Sequence, residues 1–431
     1  MLTALAGSAF LYLAHWGLSN RLLESLLALC FFALLLSGDR RRWFWSGFFL
    51  GLLWFHWIGI SFLHYGHPWA IPFVDLAIAL VYGLYFWIAA VIAEWIGQRI
   101  GHWTKTPSNS SSIFHLPSSI LKSLALLSMS YVHPFGFDWF KPELPLVHSW
   151  FGVGKLSFAA VLAGVLLILT AFRLPRRQKS SGKILLPIAA LVCFLAALDL
   201  RQPRILSGDP SGRIVLVTTH VPVDLKWNSE HLGPQIRTVF EKIDEAIRRK
   251  AQLVILPESV LPLFLNREPS LLQPLLQRSR KIDIVLGALY LTSDRQNRNS
   301  AYLFHDGSYR VADKVVLVPF GEANPLPDWA GRWINRIFFD GAPDYRPAAH
   351  PGTFTIEGRK YRIGVCYEGT SERLYTDWPK HLILLSNNGW FHPSVEPTLQ
   401  RLLLEYYARK YGTTIWHSVN MAPSYMIQAN R

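Results

Sequence analysis

Long, nearly uncharged apolar runs in the first 200 residues limit this chain more than any other feature. Crossing a hydrocarbon core takes about 20 apolar residues of helix. Six runs of that order occur at Leu2–Leu18, Leu22–Ser37, Trp43–Leu63, Ile71–Ile96, Trp150–Phe172 and Ile184–Leu198, and Ile120–Val132 is a shorter seventh. One such run could be a buried core helix; six of them predict a multi-pass membrane domain. Met1–Leu18 lacks a basic leader and is followed at once by further apolar runs, which argues against a cleaved signal peptide.

Composition then separates the chain into halves. Residues 1–200 hold 14 Lys and Arg against 7 Asp and Glu, whereas residues 201–431 hold 29 against 22. The domain division predicted is therefore a membrane domain at 1–200 with about seven helices and a soluble domain at 201–431. With seven crossings and the N-terminus inside, the cytoplasmic loops carry Arg40, Arg41, Arg42, Arg99, Lys105, Lys122, Arg173, Arg176, Arg177, Lys179 and Lys183, while Arg21, Lys141 and Lys155 fall on the other side. That asymmetry satisfies the positive-inside rule, and it predicts a bacterial inner-membrane protein whose second half is periplasmic. Topology thus accounts for the basic excess of the first half. The second half shows no basic cluster interleaved with aromatics, so no direct nucleic-acid binding is expected. Arg248-Arg249-Lys250 reads as the cationic end of a helix, and Thr104–Ser119 as a connecting loop.

From Arg213 onward the pattern changes to short β-branched runs at Ile214–Thr218, Leu253–Leu256, Ile282–Tyr290, Arg362–Cys366, Leu382–Ser386 and Thr413–Val419. Helical periodicity lies between some of them, at Gln235–Lys250 and Pro397–Lys410. Alternating strands and helices predict an α/β domain, in which functional groups gather at the carboxyl ends of strands. Three such ends carry reactive types: Leu256-Pro257-Glu258, the extended segment Asp313–Glu322 with Lys314, and Gly364-Val365-Cys366-Tyr367-Glu368. A thiol becomes a nucleophile when a base takes its proton, and a buried carboxylate such as Glu258 suits that task. A fixed ammonium such as Lys314 suits the oxyanion that follows. Cys30 and Cys193 lie in the apolar runs, so Cys366 is the one cysteine of the second half and has no disulfide partner there.

These residues resemble the carbon-nitrogen hydrolase (nitrilase) superfamily, and within it most closely the apolipoprotein N-acyltransferases. The motifs that carry the resemblance are Leu256-Pro257-Glu258-Ser259, the run Lys314–Glu322, Val365-Cys366-Tyr367-Glu368 and Ser386–Phe391. Phe338-Phe339-Asp340, the 52-residue step from Lys314 to Cys366 and Phe55–Gly59 in the third apolar run support it. The resemblance implies a helical membrane domain followed by an αββα sandwich. It implies Glu258 as general base, Lys314 as oxyanion stabiliser and Cys366 as nucleophile, with Glu322 and Glu368 as supporting acids that position the lysine and tune the thiol. The implied reaction moves an acyl chain from a phospholipid through a Cys366 thioester to an amine such as a lipoprotein N-terminus. The sequence has no metal-ligand spacing, phosphate loop or dinucleotide fingerprint, so no cofactor and no metal are expected.

The chain departs from the family pattern at His417–Ala422 and at Gly389 and His392 around Trp390-Phe391. Its end at Arg431 implies a C-terminally incomplete sandwich. That shortening is similar to the TraB-type conjugal-transfer proteins of rhizobial and agrobacterial plasmids, which would make conjugation machinery a partner and leave the acyl chemistry open. A small-amide hydrolase is a third reading; it explains the triad but leaves the apolar runs without a purpose.

Overall fold

A computed structural model describes residues 1–103, 116–173, 182–327 and 344–430, with 329, 331 and 336. Lys105, Arg176, Arg177, Lys179, Phe338-Phe339-Asp340 and most of the loop Thr104–Ser119 lie outside the described residues. The chain forms two compact units: Met1–Gly59, Trp69–Pro134 and Phe140–Arg201 make one, and Ile60–Pro68, Phe135–Trp139 and Gln202–Arg431 make the other.

The first unit is helical. Its helices are α1 (Leu2–His15), α2 (Arg21–Leu36), α3 (Arg40–Phe55), α4 (Trp57–His64, which runs on into the second unit), α5 (Ile71–Trp103), α6 (Leu116–Met129), α7 (Lys155–Arg173) and α8 (Gly182–Ala197). Asn20 and Asp39 cap α2 and α3 by accepting from the amides of Leu23 and Arg42. Gly47 and Gly51, one turn apart on α3, let it close on α5: a Cβ at Gly47 would stand 2.3 Å from the Tyr82 carbonyl oxygen. Many apolar side chains stay on the outside, among them Leu84, Ile88, Ile92, Leu191 and Leu195. Water would penalise such a surface and lipid does not.

Among the described residues, two stretches, Pro68–Ile100 and Lys155–Arg173, are long and apolar enough to cross a bilayer. The third apolar run differs from the single straight helix expected for Trp43–Leu63. It breaks at His56, and α3 and α4 meet at 45°. Other runs give shorter helices, such as the 14 residues of α1 and the 16 of α2.

The second unit is an αββα sandwich. Its strands are β1 (Arg204–Leu206), β2 (Ile214–Leu216), β3 (Leu253–Ile255), β4 (Leu261–Phe264), β5 (Asp283–Leu291), β6 (Asn297–His305), β7 (Ser308–Asp313), β8 (Thr353–Ile356), β9 (Arg359–Val365), β10 (His381–Asn387), β11 (Thr414–Asn420) and β12 (Tyr425–Gln428). One sheet runs β2-β3-β5-β6-β7, with β4 beside β5, and the other runs β1-β12-β11-β10-β9-β8. The parallel centres are β2-β3-β5 and β9-β10-β11. Period-two alternation assigns the faces. Leu253, Ile255, Val285, Ile363, Val365, Ile383 and Leu385 fill the core between the sheets. Val254, Leu256, Ile284 and Leu286 face outward onto Val239 and Ile243 of the helix Ser229–Arg248 and Leu275 of the helix Pro269–Arg278. A third helix, Glu396–Tyr411, packs against β11 and β12. β7 is antiparallel to β6, which is antiparallel to β5, so β3 and β7 end on the same side of their sheet. That shared end brings Glu258 and Lys314 together.

Candidate active site

Glu258, Lys314 and Cys366 each follow a strand, and the backbone is strained at Cys366, next to Glu258 and near Glu322. Glu258 comes just after β3, Lys314 just after β7 and Cys366 just after β9. Ser259, Phe320 and Cys366 all have positive φ, at 44°, 64° and 53°. For residues with a Cβ this conformation costs about 1–3 kcal/mol and persists where the surroundings enforce it. Gly287 of β5 shows how tightly Glu258 is seated, since a Cβ there would stand 2.6 Å from the Glu258 Cα.

Lys314 is buried, 1% exposed, with its Nζ 2.8 Å from Glu322 Oε2 and 3.9 Å from Glu258 Oε1. The first distance is a charged hydrogen bond; the second is a Coulomb contact only. Glu322 also accepts from the Val318 amide at 2.9 Å and from Asn299 Nδ2 at 2.9 Å. Asn299 Nδ2 donates as well to Glu258 Oε1 at 2.8 Å. The result is one buried lysine shared by two carboxylates, held tightly by Glu322 and loosely by Glu258.

Electrostatics give the two carboxylates different standing. Burial raises Glu258 above the ordinary carboxylate range, and nearby Glu322 adds to this, against the lowering influence of Lys314, Asn299 and Lys226. Burial works to lower Lys314, but Glu322 and Glu258 outweigh it, so the lysine stays charged. Burial also drives the Cys366 thiol well up; Glu258 reinforces the rise, while Lys314 and a hydrogen bond from the Asn387 backbone oppose it. Burial therefore disfavours a preformed thiolate at Cys366 and makes Glu258 a readier proton acceptor than an ordinary carboxylate.

Glu368 ties the lysine and cysteine loops to each other. Its Oε1 accepts from the Val365 amide at 2.7 Å, and its Oε2 accepts from Val315 at 2.8 Å and Val316 at 3.3 Å. Burial lifts its carboxyl to about 7. The five residues singled out from the sequence thus occupy one region, with Glu322 on the lysine and Glu368 on the backbone that presents the lysine and the thiol.

Several neighbours were not legible as site residues. Asn299 is a single polar residue on β6 with no motif around it. Lys226, 2% exposed, donates from Nζ to the Glu258 carbonyl oxygen at 2.9 Å. Asn420 Nδ2 donates to Asn387 Oδ1 at 2.7 Å, joining the ends of β10 and β11. Tyr65 stacks on Trp390 with ring centroids 5.3 Å apart and is pushed up to about 12 by burial and by Glu322. Tyr367 stacks on Trp139 and Phe137 and accepts from the Asp138 amide through its hydroxyl at 2.8 Å. Tyr65 and Asp138 come from the two stretches of the first 200 residues that belong to this unit, which no periodicity announces.

Residues 1–196 match the model of the apolipoprotein N-acyltransferase integral membrane domain. The apolipoprotein N-acyltransferase of Wolinella succinogenes is 39% identical over 425 residues, covering 98% of this chain and 94% of its own. The chain belongs to the apolipoprotein N-acyltransferase family. Another family member, from Helicobacter pylori, is 34% identical over 94% of this chain and 87% of its own. Among solved structures, an amidase from Nesterenkonia sp. is similar at 16% identity over 48% of this chain and 75% of its own, with a TM-score of 0.34. Membership makes the chain an integral protein of the bacterial inner membrane. The matches give no support to conjugation machinery as a partner.

Proposed function

We propose that this member of the family is an acyltransferase in which Cys366, Glu258 and Lys314 move an acyl chain from a phospholipid to the terminal amine of a lipoprotein. The observation that carries the reading is the shared lysine. Glu322 holds Lys314 at 2.8 Å, which leaves Glu258, 3.9 Å away and raised by burial, able to accept a proton.

Glu258 takes the proton of Cys366 as sulfur attacks the ester carbonyl carbon of the donor. The S–C bond forms and the carbonyl π pair moves to oxygen, where the Lys314 ammonium stabilises it. Collapse of this intermediate expels the lysophospholipid alkoxide, which takes the proton from Glu258, and leaves a Cys366 thioester. The acceptor amine then attacks the thioester carbon, Glu258 receives the amine proton, and the thiolate leaves as an amide forms. Cys366 regains its proton from Glu258, so both half-reactions balance without a cofactor. A thioester suits the second step because it remains reactive enough for an amine to open.

Seven crossings and a periplasmic second unit are part of the same proposal, supported by the placement of Arg40–Arg42 and Lys122 against Arg21, Lys141 and Lys155. The domain division at 1–200 and 201–431 is proposed too, with Ile60–Pro68 and Phe135–Trp139 serving the catalytic unit. The test is acyl transfer by the full-length protein in vesicles of phosphatidylethanolamine, with a diacylglyceryl-cysteinyl peptide as acceptor. Wild type is expected to yield N-acylated peptide and Cys366→Ala none. Peptide left unmodified by wild type, or modified equally by both, overturns the reading.

A further inference from the structure

A second lysine lies behind the catalytic base. Lys226 ends the four-residue helix Val223–Lys226, and its one hydrogen-bond acceptor among the described residues is the carbonyl oxygen of Glu258 at 2.9 Å. The short helix is anchored in turn by Gln235, whose Nε2 donates to the carbonyls of Leu225 at 3.1 Å and Lys226 at 3.2 Å. A buried ammonium that meets only a neutral carbonyl is a poor stabilising device, since an apolar side chain of the same length would escape the desolvation cost. Perturbed, buried cations of this kind concentrate where charge is used.

We propose that Lys226 is a positioning residue for the reaction: it fixes the main chain of Glu258 and supplies a second positive charge behind the Glu258 and Cys366 pair. This rests on the triad reading above. The groups that bear on it are Glu258 and Cys366, whose charges favour its protonation. Lys242, Gln235 and Thr219 line the same small cavity. Glu258 is itself faced by Lys314, Glu322 and Asn299, and Cys366 by Lys314 and Glu396.

During catalysis one negative charge passes from Glu258 to sulfur to the substrate oxygen and back. Lys314 serves the oxyanion, and Lys226 favours the charge while it resides on Glu258 or sulfur. Two consequences distinguish this role from mere packing. Without the charge, Glu258 is raised further, so the acid limb of kcat/KM moves to higher pH. Burial also lowers Lys226 to about 8, so wild type should lose rate as pH rises through that value, and a permanently charged arginine should not.

The experiment measures acyl transfer from phosphatidylethanolamine vesicles to the diacylglyceryl-cysteinyl peptide between about pH 5.5 and 9 for wild type, Lys226→Met, Lys226→Arg and Cys366→Ala. In Lys226→Met the acid limb is expected to rise by about half a pH unit or more, with roughly tenfold lower kcat/KM near pH 6.5. Lys226→Arg is expected to restore the acid limb and to abolish the decline near pH 8. Should Lys226→Met fail to fold, the basic limb of Lys226→Arg decides the matter. A Lys226→Met profile of unchanged shape, or an arginine variant that keeps the basic decline, overturns the role of Lys226 while an inactive Cys366→Ala leaves the triad standing. Activity that survives Cys366→Ala overturns both.

Discussion

Both units of this protein set a lysine against a carboxylate, and they do so to different ends. In the helical unit Lys155 Nζ lies 2.7 Å from Glu143 Oε1, Ser130 Oγ donates to Glu143 Oε2 at 2.7 Å, and the ammonium also stands 4.8 Å from the Tyr131 ring centre. Cation and anion there saturate one another, which fixes the start of α7. In the α/β unit Lys314 is divided between Glu322 at 2.8 Å and Glu258 at 3.9 Å, and a thiol stands by. A saturated pair is structural; a pair left partly unsatisfied at strand ends retains a carboxylate with capacity for a proton.

Substitutions can break or sharpen this contrast. The largest effect is expected from Cys366→Ser, with acyl transfer down at least about ten-thousandfold in the vesicle assay and an unchanged melting temperature. Next comes Glu258→Gln, with a loss of about a thousandfold. In wild type the carboxylate form of Glu258 is the active one, and its pKa is raised, so the rate should fall with acidification already above the ordinary carboxylate range. A rate that stays flat down to about pH 4.5 would deny Glu258 the role of base.

Lys155→Met probes the other region. It removes the Lys155 ammonium from the buried Glu143 carboxylate and should destabilise the protein by about 2 kcal/mol, read as a lower melting temperature in detergent. Activity per folded molecule should stay within about threefold of wild type. A loss matching that of Glu258→Gln would erase the distinction between the two pairs.

A last effect, read only as stability against pH, concerns Glu396, buried and bonded to Asn388 Nδ2 at 2.8 Å. Burial raises it from 4.5 to about 8. Because the folded state binds this proton more tightly, its contribution to stability is complete below about pH 4.5 and is lost as pH rises through about 8. Glu396→Gln cannot lose that proton. Its melting temperature relative to wild type should therefore increase between about pH 5 and 8, and a constant difference would contradict the shift.

Glu258 and Cys366 were readable because each follows or ends a short β-branched run, Leu253–Leu256 and Arg362–Cys366, which are strands β3 and β9 in the fold, whereas Lys314 was read from the extended segment Asp313–Glu322. Hydrophobic pattern also found the helix Glu396–Tyr411 almost whole. It passed over the β6–β7 hairpin, whose strands are polar at their ends, although Asp306-Gly307 was an available signal. Both residues take positive φ, 42° and 73°, as a two-residue turn of this kind requires. Asn299 rides on that hairpin and was lost with it. Lys226 was unreadable for another reason: a lysine in a polar stretch looks solvated until tertiary contacts bury it. The break at His56 was hidden because both halves of the run are apolar, and hydropathy does not register direction.

The central claim is that sulfur carries the acyl chain. Full-length protein incubated with phosphatidylethanolamine vesicles without acceptor, then digested and examined by mass spectrometry, should show a hydroxylamine-labile acyl group on the peptide containing Cys366. Addition of the diacylglyceryl-cysteinyl peptide should discharge it. Wild-type protein that acylates the acceptor at full rate while Cys366 never carries an acyl group would contradict the account.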